Sequence, residues 1–400
     1  MIAAGKISIA LYHRSGHCKG VKIASSRPQA SKILLGKSPE QVLTTVPLLF
    51  SVCSHAQAYA ALQACSSAMG VSLEPKCDAA REMLVQLEIL REQCWRILLD
   101  WPGFVGMADD KKSLKSLMAF DAQFKTSLFR DGQGFNLDSV LSVNTEQLTT
   151  LIDELALLID AVIFKGDLHG FMAIVNEEEL LDWLRDNKSL PAHLLNDVYH
   201  QNWQAIGQNT VGCLSELDRQ NLNRFMEQED LRIYSQYPQW QGRCFETTVL
   251  NRQRQHPLII ALEARYQNGL LVRILARLLE VTQVLPNLRR LSNAINEDFC
   301  VTISTEFGQN IGLGKVQAAR GLLIHRVELW QGRIKDYCII APTEWNFHPQ
   351  GVVAQSLKSL QANDSESLRQ QAERLINSID PCVQYDLTLI DSDKVQSTHA

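Results

Sequence analysis

The stretch LLIHRVELWQGRIKDYCIIAP, residues 322–342, decides the fold class. Two runs rich in β-branched and aromatic residues flank Gln331-Gly332, a dipeptide suited to a tight turn, so the stretch reads as a β-hairpin. VTISTEF, 301–307, reads as a further strand just upstream, after Cys300. At the other end of the chain, GKISIALY (5–12) and CKGVKIAS (18–25) alternate with period two around a Ser-Gly turn, which predicts a second β region. Between these regions the grammar is helical. SHAQAYAALQACSSAM, 54–69, has no internal Gly or Pro and is followed by Gly70, where a C-cap glycine belongs. A second helix is expected from a cap at Asp78 through Trp101 to Pro102, and a third from Asn144 or Thr145 through Phe164 to Gly166. A long run from His256 to Leu285, between Pro257 and Pro286, reads as a fourth, and residues 109–136, with their DGQG turn, as a loop or insertion. Ser365 to Ile379 reads as a final amphipathic helix with Leu368, Ala372 and Leu375 on one face, followed by a short tail from Asp380. The expected fold is α+β. It is one domain with an N-terminal β region (1–50), a helical body (51–299), a second β region (300–345) and C-terminal helices with a tail (346–400), the two β regions packing together beside a helical bundle.

With 400 residues, 46% hydrophobic and 21% charged, the chain can bury a substantial core. A net charge of -5 without a dense Lys/Arg run gives no electrostatic basis for nucleic-acid binding. The ten cysteines include no CxxC pair, which argues against a zinc ribbon or a thioredoxin-like site. No stretch reaches 18 uninterrupted apolar residues, and the N-terminus lacks the pattern of a signal peptide. The expectation is therefore no membrane insertion and a cytoplasmic protein with reduced thiols.

Four segments concentrate polar chemistry: SSRPQA around Arg27, SVCSHAQ around Cys53, the region 317–351, and DPCVQY around Cys382. Cys53 opens an Ala-rich helix, where the positive end of the helix dipole would favour a thiolate and hence a soft metal ligand. The competing reading is a small buried hydrophobe, and Cys382 stands in the same position. Arg320 follows a glycine-rich stretch, but a phosphate loop is excluded because Gln309 occupies the first glycine position and Val316 follows Lys315. The alternative for Arg320 is a surface charge or an ion-pair partner. A hairpin could bring His325 and His348 together, although two histidines without a third ligand make a weak metal site and core histidines are the simpler reading.

Taken in order, these segments resemble the signature blocks of the nickel-iron hydrogenase large subunit family. QAARGLLIH resembles the block EAPRGxLxH, GRIKDYCIIAPTEWNFHP resembles GxIxxYxxxxPTTWNxxP, and DPCVQY resembles the start of DPCxxCxxH. In that family four cysteines hold nickel, and two of them bridge to iron. Here the resemblance keeps Cys53 and Cys382, while Phe50 and Tyr385 stand at the partner cysteines, Gln57 and Thr388 at the two histidines, and Ala30 at the proton-relay glutamate. Two soft ligands cannot rebuild a four-thiolate nickel site, and without the carboxylate a proton path is missing. The resemblance retains Arg320 and Thr343 as donors to cyanide, with Leu323 and Pro342 completing a carbonyl and cyanide pocket, although Ala319 replaces a proline.

That pattern of loss, together with FHPQGVVAQSL after the WN motif, is similar to the HupK/HoxV accessory proteins. It implies a non-catalytic scaffold whose Cys53 and Cys382 carry an Fe(CN)2CO fragment, transiently and without nickel. The implied partners are maturation chaperones and the hydrogenase large subunit. Two other readings stay open: a divergent redox-active large subunit in which Cys338, Cys300 or a histidine replaces the lost ligands, and a metal-free interaction protein of the maturation machinery.

Overall fold

The computed structural model describes residues 5–296 and 310–392. Strands β1 (Ile7–Arg14) and β2 (His17–Ser25) form the expected hairpin. The alternation is visible in burial, since Ile7, Ile9 and Leu11 point inward while Ser8 and Tyr12 face out. Ser15 and Gly16 turn the chain with φ of 47° and 76°. No side chain fits at Gly16, where a Cβ would lie 2.0 Å from the Ala362 carbonyl oxygen.

The tail expected after Asp380 is instead a strand. Tyr385–Asp391, the last strand among the described residues, pairs in parallel with β1, placing Tyr385 opposite Ile7 and Thr388 opposite Ala10. The N-terminal hairpin thus acquires its third strand from the C-terminal end, a pairing that no local sequence window contains.

The second sheet is an antiparallel meander of Ile311–Ala318, Gly321–Trp330 and Arg333–Ile340, designated β3, β4 and β5, with the C-terminal Tyr385–Asp391 strand as β6. The hairpin turns at Gln331 and Gly332, both at positive φ. The expected strand 301–307 and Cys300 lie outside the described residues. The two sheets share no ladder; β1 of the N-terminal hairpin pairs with β6, and His17 of β2 bridges Gln361.

Residues 1–50 are not all β. Pro39–Leu49 forms helix α1, started by a reciprocal capping box in which Ser38 Oγ accepts from the Gln41 N–H and Gln41 Oε1 accepts from the Ser38 N–H. Helix α2, Ser54–Met69, ends at Gly70 (φ 70°) as expected. Its alanines have a tertiary purpose. Gly312 and Gly314 of β3 lie against its backbone so closely that a Cβ would sit 1.9 Å from the Ala64 oxygen and 2.0 Å from the Ala60 oxygen. The glycines that suggest a phosphate loop are there for strand-on-helix contact.

Helix α3 runs from Pro75 to Trp95 with Glu74 as its N-cap, so Asp78 lies inside the first turn and pairs with Arg81 (2.9 Å). It continues through a π turn, Arg96–Asp100, and a last short helix, Trp101–Phe104, in which Pro102 sits in the opening turn where its missing N–H costs nothing. The segment 109–136 is largely helical, over Lys111–Leu128, capped by Asp110; the DGQG turn follows it. Its apolar residues recur at helical spacing on one buried stripe, Leu114, Leu117 and Phe124, a signal weaker than its polar surface. Asn144 caps Thr145–Ile159, continued by a π turn to Phe164. The run from His256 is two helices, Pro257–Tyr266 and Leu270–Asn296, separated where Gln267 takes φ 48°. Pro286 lies within the second helix instead of ending it. Ser365–Ile379 is helical as expected, with Leu368, Ala372 and Leu375 buried. No helix among the described residues is long and apolar enough to cross a membrane.

Candidate functional site

The site lies where the start of α2, the middle of α3, the β3–β4 turn and the DPC segment meet. Cys53, immediately before α2, and Cys382, between the last helix and β6, line one cavity of about 110 Å³ with Arg27, Ala30, Phe50 and Val383. Two cysteines from opposite ends of the chain are therefore brought to one place. Cys382 also borders a larger cleft of about 890 Å³, lined by the charged residues Arg91, Glu92, Arg96, Arg320 and Asp380 and by the apolar Trp95, Phe104 and Met118.

The expected activation of Cys53 by the α2 dipole is overturned. The first free N–H groups of the helix, on His55 and Ala56, donate to the buried carboxylate of Glu88 at 2.8 and 3.1 Å. Glu88 already holds the position an anion would take, although burial raises its own pKa. Burial, then Glu88, then Cys382 push the Cys53 thiol well up, against the opposing pull of Arg320 and Arg27. In the metal-free chain Cys53 is a protonated thiol.

Arg320 is no surface charge. It sits in the two-residue connection between β3 and β4, 5% exposed, with Nη1 3.1 Å from Glu92 and Nε 3.1 Å from Asp380. The turn is held in turn by Asn346 of the PTEWN segment, whose Nδ2 donates to the Arg320 carbonyl (3.1 Å) and whose Oδ1 accepts from the Thr247 N–H (2.9 Å). Gly321 permits this approach: at φ 131°, a Cβ there would be 2.1 Å from the Thr247 oxygen. The glycine and the asparagine of the two blocks are thus one structural device that seats Arg320.

Asp380, at φ 66° and buried, receives Arg320, Arg96 (2.7 Å) and Arg277 (3.6 Å). Burial works to raise its pKa, and the three guanidiniums outweigh it, leaving the carboxyl below its usual range. Arg96 stands on the π turn after α3, which turns it toward the DPC segment; its Nη1 also meets Asp100 at 2.7 Å. Thr343 touches Cys382 directly. Its hydroxyl donates to the sulfur at 3.0 Å and accepts the Cys382 N–H at 3.4 Å. Arg27, which the sequence marks only as the centre of a polar segment, pairs with Glu344 and lies beside both thiols; burial opposes its charge, while Cys382 and Glu344 raise its pKa above the ordinary value.

Other expected positions fall elsewhere. Leu323 and Pro342 are buried but line neither cavity. His325 and His348 do not come together as a site. His325 is fully buried between Gln57 Oε1 and the Tyr337 hydroxyl, both at 2.8 Å, and His348 meets Cys244 at 3.2 Å. Cys338 is buried in β5 with a contact to the Leu231 carbonyl, away from both cavities. Phe50 and Ala30 border the two-cysteine cavity, Tyr385 borders the larger cleft, and Thr388 is exposed on β6. Among the described residues no group of three or more His, Cys, Asp or Glu side chains is arranged to hold a metal ion. The sequence did not point to Glu88, Glu92, Arg96 or Asn346, because their roles rest on partners distant in the chain.

Comparison with known proteins identifies the family. The chain is similar to the hydrogenase expression/formation protein HupV of Azotobacter chroococcum (25% identity, 97% of this chain, 99% of that one). It is also similar to the hydrogenase expression/formation protein HoxV of Cupriavidus necator (27%, 96% of each). Among solved structures, the fold matches the nickel-iron-selenium hydrogenase of Desulfomicrobium baculatum with a TM-score of 0.66 at 12% identity, covering 93% of this chain and 95% of that one. The profile of the nickel-dependent hydrogenases matches residues 110–385, well over half of the sequence, and the chain belongs to that family.

Proposed function

We propose that the chain acts in hydrogenase maturation as a non-catalytic scaffold, holding an Fe(CN)2CO fragment as cargo between Cys53 and Cys382 and passing it on. The observation that carries this reading is the convergence of those two thiols on one small cavity lined by Arg27, with the Arg320 guanidinium close enough to act on the Cys53 thiol. Sulfur suits low-valent iron, and guanidinium groups suit anionic ligands. A volume of about 110 Å³ is far below the roughly 300–1,000 Å³ typical of sites for drug-sized ligands, and suits a fragment of a few heavy atoms. Each thiol gives its proton to solvent as its sulfur takes a position on iron. Thr343, already on the Cys382 sulfur, orients that ligand.

Absence of turnover follows from the same positions. Phe50 and Ala30 at the small cavity and Tyr385 at the larger cleft offer nickel no thiolate and protons no carboxylate. A maturation role is consistent with the expression/formation proteins to which the chain is similar, and makes maturation chaperones and the hydrogenase large subunit its partners, in a cytoplasmic setting where the thiols stay reduced. The test is infrared spectroscopy with metal analysis on protein from maturation-competent cells. Cyanide and carbonyl bands with iron and no nickel are expected, lost in C53A and in C382A. Bands that persist unchanged in both variants defeat the ligand assignment; stoichiometric nickel with hydrogen-dependent dye reduction replaces the scaffold by an enzyme.

A further inference from the structure

Arg320 and Arg27 both lie near the thiols, but only Arg27 lines the cavity that Cys53 and Cys382 share. Arg320 is committed to two carboxylates, Glu92 and Asp380, inside a buried ion network. The Arg27 guanidinium makes a single hydrogen bond among the described residues, to Glu344 Oε1. Its remaining N–H groups are thus available to the two-cysteine cavity that Arg27 itself lines. Its backbone is fixed: the Ser26 N–H donates to the Lys6 carbonyl at 3.0 Å, and the Arg27 N–H donates to Ser25 Oγ at 3.3 Å. Glu344 is also incompletely used, since its Oε2 is buried with no hydrogen-bond partner. A second cavity of about 60 Å³ touches Arg27 and Glu344, so the guanidinium has room to leave its carboxylate.

We propose that Arg27 is the anion-recognition residue of the two-cysteine cavity, donating to an anionic ligand of the bound fragment, and that Glu344 is the positioning residue that holds it ready. The ligand class is a small monovalent acceptor such as a metal-bound cyanide. The assignment puts Arg27 beside Arg320 as an anion contact, because Arg27 lines the two-cysteine cavity whereas Arg320 lines the larger cleft. It rests on the scaffold reading for the identity of the cargo, though not for the existence of the anion site.

Two measurements separate these. On the purified, metal-free chain, the rates at which iodoacetate and iodoacetamide alkylate Cys382 are compared by peptide mapping; the reagents differ in charge and deliver similar groups. The iodoacetate to iodoacetamide ratio is expected to fall several-fold in R27M, to stay near wild type in R27K, and to rise in E344Q, where the competing carboxylate is gone. A ratio unchanged in both R27M and E344Q overturns the proposal. On protein from maturation-competent cells, R27K is expected to shift a cyanide band with little change in the carbonyl band, whereas R27M lowers fragment occupancy. A cyanide band unmoved in R27K, with full occupancy in R27M, also overturns it. The expected alkylation pattern in a wild-type protein without cyanide bands would uphold the anion site and defeat the iron reading.

Discussion

Thr343 and Cys382 exchange two hydrogen bonds, hydroxyl to sulfur at 3.0 Å and backbone N–H to hydroxyl at 3.4 Å. This pair locks the first turn of the Pro342–Asn346 helix to the DPC segment, so one side chain both fixes the thiol and is fixed by it.

Removing the hydroxyl tests that coupling. T343V is expected to destabilise the chain by about 1 kcal/mol, the usual net value of one hydrogen bond, and to reduce retention of the iron fragment, while T343S restores both. Urea unfolding and infrared band intensity measure the two effects, and equal behaviour of T343V and wild type in both would show that the pair has no role.

Asp380 governs acid stability. Because its folded carboxyl lies below the ordinary value, the stability it contributes is fully present above the ordinary carboxylate range near pH 4 and is lost as pH falls through the lower folded value. D380N leaves the buried guanidiniums of Arg320 and Arg277 and the half-buried one of Arg96 undercompensated, a cost on the order of 3–5 kcal/mol at neutral pH. The gap between wild type and variant is expected to narrow in acid, as read by denaturant midpoints across a pH series. A gap constant with pH would contradict the argument.

Burial and, after it, Glu88 keep Cys53 from ionising, so E88Q should lower the thiol pKa. The measurement is the pH dependence of Cys53 alkylation by a neutral reagent, whose midpoint moves down in the variant. A midpoint that stays in place would assign the elevated thiol to burial alone.

The β3 glycines provide a prediction about packing. A methyl group at Gly314 meets the Ala60 backbone, which cannot rotate away as a side chain would, so G314A is expected to cost about 1–3 kcal/mol or more. At Gly36, where nothing lies within 4 Å of the added carbon, only the positive φ of 75° is strained, and G36A should cost less. Chemical denaturation of the two variants compares them.

What was legible in the sequence was whatever the chain encodes over a few residues. The hairpins about Ser15-Gly16 and Gln331-Gly332, the helix closed by Gly70 and the amphipathic Ser365–Ile379 helix all follow from local periodicity and turn chemistry. Cys53, Cys382, Arg320 and Thr343 are candidate site residues through their motif blocks, and the structure brings all four to one region. Where local signals conflict with packing, the sequence misleads. Pro286 looks like a stop, yet it lies inside a helix that neighbouring elements hold on its buried faces.

Only the tertiary structure could decide the rest, because it depends on groups that meet across long sequence separations. The YDLTLID strand needs β1, the far end of the chain, to satisfy its backbone. Whether Cys53 is a thiolate depends first on its burial and then on Glu88 at the helix start, and whether Arg320 is a surface charge depends on Glu92 and Asp380 pairing with it in the interior. Sequence identifies which groups are present; burial and the partners that reach them determine which charge each carries and which contacts remain open.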